Sequence, residues 1–165
     1  MKNPLLLITM LACFAMNAQD NARDIDFARE AAINTLTELK LAELAIDKTD
    51  SEKVKELAEQ VLLDRAKTTG ELETIAETKN IELPGDIDSK TLNRIKKLEE
   101  KQGAEFDKEY IDVVIKNHTQ LIDKFSSEAE EGKDPELREW AARHIPSMKH
   151  HLHMAEDIYT DMKKK

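Results

Sequence analysis

From Leu137 to Met162 the chain repeats apolar or half-apolar side chains every three or four residues: Leu137, Trp140, Ala141, His144, Ile145, Met148, His151, Leu152, Ala155, Ile158, Tyr159 and Met162. That is the period of a helix burying one stripe, and a strand, whose side chains alternate, cannot gather it on one face. Asp134 before Pro135 predicts an N-cap followed by proline at the first helical position, where the missing N–H costs nothing. Pro146 inside the segment predicts a kink about one turn before His150.

The same spacing recurs upstream. Phe27, Ala31, Ala32, Leu39, Ala42 and Ile46 predict a first helix over about Ile25 to Asp47. Thr49 and Glu52 have capping-box spacing and open a second, carried by Val54, Leu57, Ala58, Val61, Thr68, Leu72 and Ile75 to about Asn80. Leu83-Pro84-Gly85 breaks the chain, and Asp88 or Ser89 caps a short helix to about Lys101. Gly103 interrupts before a third long helix marked by Phe106, Tyr110, Val113, Val114, Leu121 and Phe125. Glu128, Glu130 and Glu131 before Gly132 read as a solvated helix end. With four Gly, four Pro and no alternating β-branched run, no strand is expected. The expected fold is all-α: a four-helix bundle with a short extra helix between its second and third long helices. Short links favour antiparallel pairs on either side of that connection.

Residues 1–18 read as a secretory leader: Lys2, an apolar run from Leu5 to Met16, then small and polar residues around Ala18. The run is shorter than the roughly 20 apolar residues of a spanning helix. Residues 19–165 then form one periplasmic domain with no membrane span. Met-Leu-Ala-Cys at Cys13 offers the alternative of a lipid anchor and a membrane-tethered lipoprotein. The chain has 25 Lys and Arg against 34 Asp and Glu, net −9, with Lys runs only at 96–97 and 163–165, so nucleic acid is not an expected partner. A homo-oligomer is a partner that amphipathic helices allow.

Four of the five histidines fall between His144 and His153. At about 100° per residue, His144 and His151 share the core side within about 20°, whereas His150 and His153 turn outward. Ser126, Ser127 and Ser147 lack an adjacent His-acid pattern, and no complete catalytic motif is present, which favours a non-enzymatic protein.

Thr37-Glu38-Leu39, Asp64, residues 103–110 (GAEFDKEY), His118, residues 132–137 (GKDPEL) and residues 146–152 (PSMKHHL) together resemble a secreted bacterial ferritin-like family of unknown function, often labelled "predicted outer membrane protein". The resemblance spans nearly the whole chain after the leader. It implies a ferritin-like bundle in the cell envelope, loosely associated with stress, and brings no established reaction. Members usually carry Asp-His where this chain has Asp64-Arg65, so a permanent cation replaces a potential ligand. Position 65 lies on the buried stripe of its helix, where the guanidinium needs a carboxylate such as Glu38 or Asp107.

A di-iron centre is not expected, because no Glu-x-x-His occurs: the residues three before the histidines are Ile115, Ala141, Ser147, Met148 and His150. Two transition-metal sites, for zinc, copper or iron, are expected as alternatives to purely structural roles. Glu38, His118 and His151 form a core candidate, and His150, His153 and Asp157 a helix-face candidate, with Met148 and Met154 as soft ligands for copper. The competing reading makes Asp64, Arg65, Asp107, Tyr110 and His144 a structural polar cluster that holds the buried histidines and fixes helix register. On the metal reading the protein is a metal carrier or metal-dependent enzyme.

Overall fold

The computed structural model describes residues 5–164, with side chains from Ala22 onward. The leader reading and Cys13 fall outside the residues whose side chains are described. Five helices and no strand make up these residues: α1 (Leu5–Lys48), α2 (Glu52–Lys79), α3 (Ser89–Glu99), α4 (Gly103–Glu131) and α5 (Pro135–Lys163).

Local chemistry sets most of the boundaries. Asp134 caps α5 by accepting from the N–H groups of Glu136 and Leu137, with Pro135 at the first position. Asp88 caps α3 through Thr91 N–H. Asn80 ends α2 in the left-handed conformation, φ 54°, and the next N–H, of Ile81, donates to Ala76 O. Gly103 opens α4 at φ 54°, a region that other residues enter at a cost. The expected capping box at α2 does not form. Ser51 is the N-cap and makes no side-chain cap bond, while the Thr49 hydroxyl donates to Asp107 Oδ1, 2.6 Å away on α4. The Thr49 oxygen meanwhile accepts from the Ser51 N–H at 3.0 Å, one residue short of the capping-box partner. α5 continues as one helix past Pro146.

α1 pairs with α2 across a short link, and α4 pairs with α5 in the same way. The two hairpins meet chiefly through α2 against α5, while α1 and α4 approach each other less extensively. α2 and α4 therefore lie on a diagonal, and α3, packed on α1 and α4, carries the chain across the outside of α1.

The apolar interior divides into two clusters. One holds Leu41, Ala45, Leu57, Val61, Phe106, Tyr110, Ile111 and Ile158. The other is built on Ala28, Ala31, Leu72, Leu121, Phe125, Trp140 and Met148, with Phe27 against Phe125 at 5.2 Å and against Trp140 at 6.0 Å between ring centroids. On all four long helices the residues between the two clusters are polar: Glu38, Arg65, His118 and His151, all buried. A polar layer thus separates two apolar cores. Ile111 is fully buried and Val113 only partly so, which turns the α4 stripe slightly from its expected position.

Candidate functional site

Each long helix contributes to this layer. Glu38 comes from α1, Asp64 and Arg65 from α2, His118 from α4 and His151 from α5. Arg65 Nε stands 2.7 Å from Glu38 Oε2, with side-chain exposures of 1% and 4%. The N–H is not aimed at that oxygen, so charge rather than an aligned hydrogen bond joins them, and Arg65 Nη2 and both Glu38 oxygens also lack directed partners. Glu38 Oε1 is 3.1 Å from His118 Nδ1. His118 Nε2 is 3.4 Å from His151 Nδ1, and His151 Nε2 is 3.1 Å from Asp64 Oδ2. Asp64 is 43% exposed, so the line runs from the bundle centre to solvent.

The contact with Val114 decides the His118 tautomer. His118 Nδ1 faces two acceptors, Val114 O at 3.1 Å and Glu38 Oε1, so it carries the proton and donates to the carbonyl. His151 Nε2 lies 3.1 Å from the Asp64 carboxylate without an aligned hydrogen bond to it. With its Nδ1 protonated, His118 accepts at Nε2, and His151 Nδ1 is placed to donate to it across 3.4 Å. Burial holds both rings below the ordinary histidine range. His151 is pushed down to about 4, with the His118 ring and Arg65 adding to the burial effect against Asp64 and Glu38. Tyr110, fully buried with an unpartnered hydroxyl, is raised by burial and then by the Glu38 charge.

Glu38, His118 and His151 lie in a line rather than around one point. Among the described residues no three His, Cys, Asp or Glu side chains are grouped to hold a metal ion. Asp107 stands apart, bonded to Thr49. His144 forms a second polar group: Nδ1 lies 3.2 Å from the Thr68 hydroxyl and Nε2 3.1 Å from Glu71 Oε2, which Arg143 also contacts. Burial raises Glu71, but His144 and Arg143 outweigh it and hold the carboxyl below its usual range. On the outer face His153 Nε2 is 3.6 Å from Asp157 Oδ2, both side chains largely exposed, and His150 is exposed beside them.

Two acidic residues were not legible as special. Asp24 is buried and accepts from the N–H groups of Lys133 at 3.0 Å and Asp134 at 2.6 Å, closing the α4–α5 turn onto α1. Glu128, expected in a solvated helix end, is 2% exposed. Burial and the nearby Asp24 charge raise its carboxyl to about 7. The fold has folded this end of α4 inward, and nothing in the local run of glutamates distinguishes Glu128 from Glu130 or Glu131.

These features define an all-α bundle with a buried, charged middle layer. The chain belongs to the family described as "Domain of unknown function (DUF4142)", whose model matches residues 10–158. No curated protein matches it. Among solved structures it is similar to a DUF305 protein of Streptomyces coelicolor, classed provisionally as secreted, at 16% identity and TM-score 0.74 over 86% of this chain and 92% of that one. A DUF305 fragment from Deinococcus radiodurans is similar at 12% identity and TM-score 0.74, over 84% and 96%. Both likenesses concern the fold.

Proposed function

We propose that this is an exported, non-enzymatic helical-bundle protein of the cell envelope, in which the line from Arg65 to Asp64 ties the four long helices into one register. The observation that carries the reading is that every long helix places a buried ionisable side chain at the same level, between two apolar clusters. Apolar stripes tolerate sliding and rotation, whereas a buried charge that loses its partner is strongly disfavoured, so such a layer selects one arrangement. Export rests on the leader-like residues 1–18 and on the provisional classing of the Streptomyces neighbour. No described helix is long and apolar enough to cross a membrane.

A non-catalytic role also fits the side chains themselves. Thr68, the hydroxyl beside His144, is fully buried and gives its proton to Asp64 O at 2.7 Å. The Ser147 hydroxyl donates to His144 O, away from the ring. Neither is poised as a nucleophile.

A double-mutant cycle on His118→Ala and His151→Ala, read by urea unfolding, tests the tie. Neighbours in one network couple by roughly 0.5–3 kcal/mol. Strict additivity of the two losses would remove the proposal. The mass of the exported chain then separates cleavage near residue 18 from lipid attachment at Cys13, the alternative route to the envelope.

A further inference from the structure

We propose that the groove between α1, α3 and α4 binds a single-chain anionic amphiphile, its hydrocarbon body along the aliphatic lining and its carboxylate or phosphate head on the basic rim. No residue of the line from Arg65 to Asp64 lines this groove, so the inference stands apart from the register reading.

α1 and α4 are the neighbouring long helices that meet least, and α3 packs on both without closing the gap. What remains is a groove of about 620 Å³, inside the range of roughly 300–1,000 Å³ of small-ligand sites. Its apolar lining is aliphatic and comes from all three helices. Leu41 and Leu98 are buried there, while Ile33, Ile95 and Val113 stay half-buried. Apolar surface left in water in this way favours a ligand that covers it with hydrocarbon.

The charged lining has one dominant sign. Arg94 and Lys97 come from α3, Lys101 from the link after it and Lys116 from α4, against two carboxylates, Glu109 and Asp112. Lys101 is engaged by Glu105 at 2.5 Å, whereas Arg94, Lys97 and Lys116 have no carboxylate within 4.0 Å among the described residues. The surplus stands out in a chain of net charge −9, and α3 is its main source, with Lys90, Arg94, Lys96 and Lys97 against Glu99 alone. Lysine and arginine keep their charged heads in water while their methylene stems lie along apolar surface, so this rim suits a head and a tail together. A cleft lined by one sign of charge also draws in the opposite sign. An anionic bilayer, the other surface such cations could meet, would be repelled by the acidic remainder of the chain.

Tag-free protein is titrated with cis-parinaric acid, a fluorescent long-chain carboxylate, and with its methyl ester, both below the concentration at which they form micelles. The expected result is one molecule per chain, at least tenfold weaker for the ester and for Arg94→Gln/Lys116→Gln. Lys67→Gln/Lys149→Gln, which removes two exposed cations from α2 and α5, is expected to bind as the parent does. Saturated carboxylates should displace the probe with affinity rising roughly threefold per added methylene until the groove is filled. A long-chain alkyl phosphate that displaces it equally well would support a rim reading negative charge, and one that fails would support a carboxylate site. Methyl NMR of the unsubstituted protein locates the tail independently, through shifts at Ile33, Ile95 and Val113. Absence of binding, equal affinity for acid and ester, an unaffected rim variant, or unmoved groove methyls would each overturn the inference. So would binding to anionic phospholipid vesicles without uptake of the free amphiphile. None of these results bears on the unfolding cycle, so the two readings fail separately.

Discussion

Arg65 Nε lies 2.7 Å from Glu38 Oε2 in a site where neither side chain reaches solvent. The pair joins α1 to α2 at the level where both apolar clusters stop. Removing one partner of such a pair leaves a buried, uncompensated charge, which typically costs about 3–5 kcal/mol. Arg65→Met and Glu38→Leu are each expected to lose about that much in urea unfolding. The double variant, with both charges replaced by apolar volume, is expected to regain most of it. A double variant as unstable as the summed singles would show that the pair is not an isolated unit.

Glu128 gives a pH dependence of known sign. Its folded carboxyl is raised to about 7 by burial and Asp24, against 4.5 for the free group. The folded state therefore holds a proton that the unfolded chain has released, and stability falls as pH rises from about 4.5 through about 7. Glu128→Gln cannot titrate, so its melting temperature relative to the parent is expected to be higher at pH 8 than at pH 5, by a few degrees. Melting curves at the two pH values decide it, and an equal difference at both would show that Glu128 does not contribute.

Gly132 closes α4 with its N–H donating to Glu128 O at 2.8 Å. A methyl group built there would meet that carbonyl at 2.6 Å and collide with the Glu128 carboxyl as well. Its φ of −54° is open to any residue, so contact rather than backbone strain sets the requirement. Gly132→Ala is expected to destabilise by roughly 1–3 kcal/mol, the range of overpacking. Combined with Glu128→Ala, the loss attributable to the side-chain collision should shrink, leaving that from the backbone contact.

Asp24 holds two consecutive turn N–H groups, those of Lys133 and Asp134. Asp24→Ala is expected to cost roughly 1–3 kcal/mol, as partly buried donors lose their acceptor. Amide exchange at positions 133 and 134 should accelerate more than in the core of α5. Unchanged exchange there would mean that the turn is held by other contacts, such as Lys79 Nζ on Asp134 Oδ2 at 2.7 Å.

Much of the helical layout is legible because it is written within a few residues. Asp134-Pro135, Asp88 and Asn80 act on neighbours in sequence, and the structure places them as caps. Position 65 could be assigned to a buried stripe from Ala58, Val61, Thr68 and Leu72 around it. Which carboxylate it meets could not be assigned: Glu38 and Asp107 were equal candidates by chemistry. The failure at Thr49 has the same origin. Its hydroxyl donates to Asp107, 58 residues away, at 2.6 Å, while its oxygen accepts from Ser51 N–H rather than Glu52 N–H, and no local rule anticipates the distant acceptor.

By itself the sequence determined an all-α chain, its punctuation, and the division of histidines between core and surface, because period, capping and burial preference are local properties. Tertiary structure decided that Glu38, Arg65, His118 and His151 meet at one level, that Asp107 does not join them, and that Glu128 turns inward. Those outcomes depend on the rotation and register of whole helices, which the packing of two apolar clusters sets collectively and no single segment encodes.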